Sequence, residues 1–202
     1  MLTATSTNAT ACMVQDYDLE GAIASLRSGD LILYPTDTIW SIGCDATNTR
    51  AIERIIKLKR AASASLHFEI LVDSLQMLKH YVNHLHPRLE TLLVYHVRPL
   101  TVVLDQARNL PANLITNDGS IAIRVVQDQY CRELIKAFGH PIVATFANVI
   151  DDPIPAHFGA ISSEILQGVD YVSKFRQHEK NHGQPSVMVR LSDQDELLFL
   201  RD

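Results

Sequence analysis

The sequence predicts one α/β domain, a single twisted mixed sheet with flanking helices. Three observations carry that prediction. Short apolar, β-branched runs alternate with helical patterns along the whole chain. No composition break and no internal repeat divides them. With 202 residues, 47% hydrophobic and 20% charged, the chain can bury about 70% of its unfolded surface without disulfide or metal staples. The same composition excludes collagen-like, low-complexity and largely disordered chains.

The elements follow in order. Leu19, Ile23 and Leu26 sit at helical spacing within Asp18–Ser28, and Gly29 stops that helix. Leu31 to Tyr34 is a buried strand halted by Pro35. Asn48 or Thr49 caps a helix that runs to about Arg60 with Ala51, Ile52, Ile55 and Ile56 inside. Phe68–Val72 is a strand, a helix starts near Ser74, and another follows Pro87. Leu100–Leu104 and Ser120–Val125 are strands parted by a turn at Asn117-Asp118-Gly119. Asp128–Phe138 is a helix ended by Gly139, Ile142–Thr145 a strand, and Phe158–Leu166 a helix. Val169–Val172, Ser186–Leu191 and Glu196–Leu200 complete the sheet, and the polar run 174–184 is a loop. Residues 1–14 are a disordered polar tail, and the domain spans 15–202.

Several function classes drop out. Eighteen Lys and Arg against 23 Asp and Glu give a net charge of −5, which argues against bulk attraction to nucleic acid or anionic membrane. Cys12, Cys44 and Cys131 are three, widely spaced, and form no Cys-x-x-Cys pair. A disulfide framework or thiolate zinc cage is therefore not expected, and the cytoplasm is the default. No apolar run approaches the ~20 residues of a membrane span. The Thr/Ala/Ser-rich start lacks the basic and apolar regions of a signal peptide.

His178-Glu179-Lys180-Asn181-His182 fits the zinc-protease pattern H-E-x-x-H. That chemistry needs a packed helix and a third ligand, whereas Gly183 and Pro185 follow at once, so the segment reads as a solvated loop. His80, His84 and His86 lack a carboxylate or Cys nearby to complete a shell, so no tightly bound metal is expected.

Tyr34-Pro35-Thr36-Asp37-Thr38 places two hydroxyls and a carboxylate at the sheet rim, where α/β proteins bind small molecules. Alone, it is equally an ordinary turn. Arg50, Arg54, Lys57, Lys59 and Arg60 crowd one helix. They answer either the helix dipole or an anionic ligand. Arg124, after Ile121-Ala122-Ile123, is a surface charge or a ligand for carboxylate or phosphate. Asn148 is a cap or a cleft residue. No Gly-rich phosphate loop and no G-x-S-x-G is present.

Seven segments in order resemble the YrdC-like family, the threonylcarbamoyl-AMP synthases and their YciO-type relatives. Tyr34 to Ala46 resembles the family's Y-P-T-D-T-V-Y-G-L-G-C-D-A, and Leu58-Lys59 its L-K helix end. Pro99 to Leu104, Leu110-Pro111-Ala112, Ser120 to Val125, Gly183 to Ser186 and Leu200-Arg201 are similar to its remaining motifs.

The resemblance implies a twisted open α/β sheet of the double-stranded-RNA-binding type around a positively lined groove. It implies a nucleotidyltransferase that condenses ATP (with Mg as part of that substrate), L-threonine and bicarbonate to threonylcarbamoyl-AMP and pyrophosphate. Other proteins then carry the group to tRNA. By matched position, Thr36, Ser120, Arg124 and Ser186 would surround threonine; Lys59, Asn148 and Arg201 would face the nucleotide. Lys59 would offset phosphate charge as pyrophosphate leaves, with Arg60 standing in for a displaced Arg.

The sequence also departs from the family pattern. Phe146 stands where the S-A-N motif has Ser, and 61–67 contain no Lys. The alternative is a YciO-type paralogue that binds nucleotide or double-stranded RNA without the condensation.

Overall fold

The central strands present one apolar face to a layer of helices, and their other face is covered only in part. A computed structural model describes residues 19–60, 68–180 and 183–202. The expected tail over 1–14 and its boundary with the domain lie outside the described residues. Nine strands are described: β1 (Ile32–Pro35), β2 (Trp40–Gly43), β3 (Glu69–Val72), β4 (Leu100–Leu104), β5 (Ile121–Val125), β6 (Ile142–Phe146), β7 (Tyr171–Val172), β8 (Val187–Leu191) and β9 (Leu197–Arg201). They form one sheet in the order β7-β1-β2-β6-β3-β5-β4-β8-β9. Three pairs are parallel (β1 with β7, β3 with β5, β4 with β8) and the others antiparallel. The mixed α/β sheet expected from the sequence is the observed one.

The helices are α1 (Leu19–Ser28), α2 (Thr49–Leu58), α3 (Leu75–Tyr81), α4 (Pro87–Tyr95), α5 (Gln129–Phe138) and α6 (Ser163–Gly168). Their ends follow side-chain chemistry. The Asn48 carboxamide accepts from the Arg50 and Ala51 N–H groups, Ser74 caps α3 and Asp128 caps α5. Gly139 ends α5 at φ +88°, a conformation open to glycine without a Cβ penalty.

One sheet face packs on α2, α3, α4 and α6 through Ile52, Ile55, Leu78, Leu89 and Ile165 against Ile70, Val102, Ile123 and Val189. On the other face, α1 and α5 bury Leu26, Leu134 and Ile135 against Ile32, Tyr34, Leu71 and Ala144. That second layer ends near β3. Strand alternation therefore turns Ala122 and Arg124 of β5, Val103 of β4, and Met188 and Arg190 of β8 toward a surface that no described helix covers.

Three segments differ from the sequence reading. Trp40–Gly43, unassigned from sequence, is β2: the side chain of Thr36 takes the Thr38 and Ile39 N–H groups and closes a tight turn from β1. The helix expected over Phe158–Leu166 is a 3-10 turn (Phe158–Ala160) followed by α6, because Ser162 caps a new start. The strand at 169–172 shortens to Tyr171–Val172, since the Asp170 carboxylate takes the Leu31 N–H and the Arg54 guanidinium.

Candidate active site

The uncovered part of the sheet floors a cavity of about 740 Å³, within the usual size of small-molecule sites. Ser41 of β2, Glu69 of β3, Arg124 of β5, Phe146 of β6 and Arg201 of β9 line it, with Asn117, Asp118 and Ser120 on one wall.

Arg124 is the largest polar side chain in the core and only 1% exposed. Antiparallel pairing sets it beside Thr101 of β4, and parallel pairing beside Leu71 of β3. Its Nη1 pairs with the Asp37 carboxylate, and its Nε lies 3.3 Å from Glu69 Oε2. The Nε–H does not point at that oxygen and has no hydrogen-bond partner. Burial pulls the guanidinium down, but Asp37 and Glu69 outweigh it and raise it above its ordinary value. It is permanently charged.

Glu69 continues the network. Its Oε1 accepts from Arg201 Nη2 at 2.7 Å and from Ser186 Oγ at 3.3 Å. Arg201 also donates to Ser186 O and Oγ, at 2.7 and 2.8 Å, and Ser186 Oγ lies 2.6 Å from Thr101 Oγ1. On the other wall Ser120 Oγ donates to Asp118 Oδ1 at 2.7 Å. The hydroxyls of Thr116 and Ser120 hold the Asp118 carboxyl well below the usual range. Arg190 meets Asp118 at 3.5 Å and Asp105 at 3.2 Å. Each of the three cavity arginines is thus paired with carboxylate: the lining itself carries three cations and two anions, and Asp37, paired with Arg124 but outside the lining, brings the sum to zero.

The structure gathers Ser120, Arg124, Ser186 and Arg201 around this one cavity. Thr36 sits in the β1–β2 turn, its hydroxyl donating to Ile39 O, and lines a second cavity on the far side of Asp37. Lys59, 3% exposed, donates to Phe146 O, Asn148 O and Asn148 Oδ1 at 2.7, 2.6 and 3.0 Å. Burial lowers its pKa to about 8. Lys59 and Asn148 therefore meet each other behind the Phe146 wall and do not line the cavity. Arg60 turns away at φ 52°, its side chain 68% exposed and paired with Glu164.

Glu69 and Arg190 are the site residues that sequence reasoning missed. A lone carboxylate within the apolar run Phe68–Val72 was the available signal for Glu69. Residues 178–180 of the H-E-x-x-H segment lie in turn and coil, not helix, and 181–182 fall outside the described residues. Among the described residues no group of three potential ligands could hold a metal. No described helix is long and apolar enough to cross a membrane.

The fold and site are those of a small-molecule-binding α/β protein: a mixed sheet with a cavity floored by a buried arginine. The chain belongs to the Sua5–YciO–YrdC family, whose model, described as "telomere recombination", matches residues 24–202. It resembles threonylcarbamoyl-AMP synthases. One from Xanthomonas euvesicatoria pv. vesicatoria is 28% identical over 163 residues, 79% of this chain and 87% of the relative. Another, from Pseudoalteromonas translucida, is 28% identical over 155 residues, 76% and 83% of the two chains. The fold matches that of P. abyssi Sua5 complexed with L-threonine at a TM-score of 0.77 and 22% identity, over 89% of this chain and 52% of that longer one. It also matches E. coli YciO at 0.76 and 21%, over 90% and 86%.

Proposed function

We propose that this chain is a threonylcarbamoyl-AMP synthase, and that the cavity around Arg124 is where the amino acid and the nucleotide meet. The observation that carries the reading is a permanently charged guanidinium, 1% exposed, that lines the cavity beside Ser120 and Ser186. A guanidinium in such a place is the usual partner of a ligand carboxylate. The synthase names of the curated relatives and the L-threonine complex of P. abyssi Sua5 support the same choice.

The chemistry is a condensation. The threonine α-ammonium gives a proton to solvent, and the free amine adds to bicarbonate carbon with loss of water, giving a carbamate. A carbamate oxygen then attacks the α-phosphorus of ATP, and pyrophosphate leaves. In this reading Arg124 holds the α-carboxylate, with Ser120 and Ser186 offering hydroxyls. Thr36 contributes by fixing the turn that carries Asp37, the partner of Arg124. Arg201, on an edge strand and with its side chain 30% exposed, is held by Glu69 and Ser186 and offers its remaining N–H groups to phosphate. Lys59 and Asn148 act by holding the strand end that forms the Phe146 wall. Magnesium would enter with ATP as part of that substrate. A cytoplasmic setting and downstream tRNA-modification proteins belong to this reading.

The test is pyrophosphate release from ATP and magnesium by the purified chain, with L-threonine and bicarbonate added singly and together. Release that requires both is expected. No release beside an active relative, or release indifferent to threonine, would overturn the reading in favour of a nucleotide or RNA binder.

A further inference from the structure

Glu69 is charged on a strand that is otherwise apolar, side-chain exposure 14%, and sits between two arginines. Arg124, Arg201, Asp37 and Glu69 form a quartet of two cations and two anions, net zero. The remaining charges facing the cavity, Asp118 and Arg190, pair with each other, and Arg190 also meets Asp105. A ligand that brought only a carboxylate would add one uncompensated negative charge to this enclosed lining, and an amine alone would add one positive charge. A zwitterion adds one of each and leaves the balance intact.

We propose that Glu69 is the residue that makes the cavity select a zwitterionic amino acid: its carboxylate accepts the ligand's α-ammonium while Arg124 takes the α-carboxylate. The inference rests on the reading of the cavity as an amino-acid site and adds the determinant of its substrate class. The contacts already present suit the exchange. Glu69 Oε2 faces the Arg124 Nε at 3.3 Å without a hydrogen bond, so turning toward an ammonium breaks none there. Oε1 stays anchored on Arg201 at 2.7 Å. A hydrogen bond between charged groups in such a site is worth about tenfold to a hundredfold in affinity.

Isothermal titration of the full chain with L-threonine and with (R)-3-hydroxybutanoate, the same molecule without its amine, tests this. The wild-type chain is expected to prefer L-threonine by at least about tenfold. Glu69→Gln should erase most of that preference, by weakening L-threonine and sparing or strengthening the hydroxy acid. Glu69→Asp, which keeps the charge, should retain part of it and serves as the readout if Glu69→Gln does not fold. Equal loss of both ligands in Glu69→Gln would mean that Glu69 merely scaffolds the arginines, and would overturn the proposal. A wild-type chain that binds both ligands equally would overturn it as well. Binding of neither removes the amino-acid reading together with the inference. Selective threonine binding without threonine-dependent pyrophosphate release would remove the synthase reading and leave Glu69's role standing.

Discussion

Lys59 and Arg124 are both buried cations, and the protein buries them in opposite ways. Lys59 is surrounded by neutral carbonyl oxygens and faces no carboxylate among its hydrogen-bond partners. Its charge is opposed by burial alone, so its pKa falls to about 8. Arg124 is equally dry, yet two carboxylates hold its charge in place. Arg124 also lines a cavity, whereas Lys59 spends its donors on the backbone at residues 146 and 148. A cation held by carboxylates at a cavity wall is built to meet a ligand. A cation with all its donors taken is built to hold a chain segment.

The largest effect should come from breaking the charged case. Arg124→Met leaves Asp37 buried without its ion-pair partner and Glu69 with Arg201 alone, which typically destabilises by about 3–5 kcal/mol. Urea unfolding would report it as a fall in midpoint, and threonine-dependent pyrophosphate release should vanish. Adding Asp37→Asn to Arg124→Met should restore part of the stability, since the stranded charge goes. A double variant no more stable than the single one would show that Asp37 is not held by Arg124, and the contrast with Lys59 would lose its basis.

Arg124 was legible from its strand only as a surface charge or a ligand, and as a threonine ligand only through the family resemblance. The helix caps Asn48, Asp128 and Gly139 were legible because capping depends on local residue type. Contacts across the sheet were not. Glu69 and Arg201 meet over 132 residues of sequence, and only the strand order β3-β5-β4-β8-β9 brings them to one floor. Strand β2 escaped notice because its four residues follow a turn whose hydrogen bonds come from the Thr36 side chain. Lys59 and Arg60 are neighbours in sequence, yet one chain points inward at the helix end. The other swings out at φ 52°, a local backbone choice that residue type does not announce.

The second prediction uses pH. Below about pH 8 Lys59 is protonated in both folded and unfolded chains, and its burial penalty is fully present. Between about 8 and the ordinary 10.5 the unfolded chain binds a proton that the folded chain has released. Stability from this group therefore rises with pH across that window, to a limit of about 3 kcal/mol. Buried Tyr34, Cys44 and Cys131 are raised by burial and act in the opposite sense. The measurement is thus the difference in unfolding free energy between wild type and Lys59→Met, followed from pH 7.5 to 9.5. A difference flat in pH would mean that the Lys59 charge is compensated, as that of Arg124 is.

The smallest effect sharpens the contrast most. Lys59→Met removes the donor from three oxygens at Phe146 and Asn148 but also removes a charge that burial disfavours. The two changes oppose each other, leaving a net loss of about 1–2 kcal/mol at pH 7. L-threonine affinity, read by titration, should change less than about threefold, because Lys59 lies behind the Phe146 wall and only Phe146 itself lines the cavity. Nucleotide affinity should fall more than threonine affinity, since loosening residues 146–148 moves that wall. A tenfold loss of threonine binding would show that Lys59 reaches the ligand directly. The two buried cations would then be one site divided by an aromatic ring, and the sequence-based placement of Lys59 among the catalytic groups would be restored.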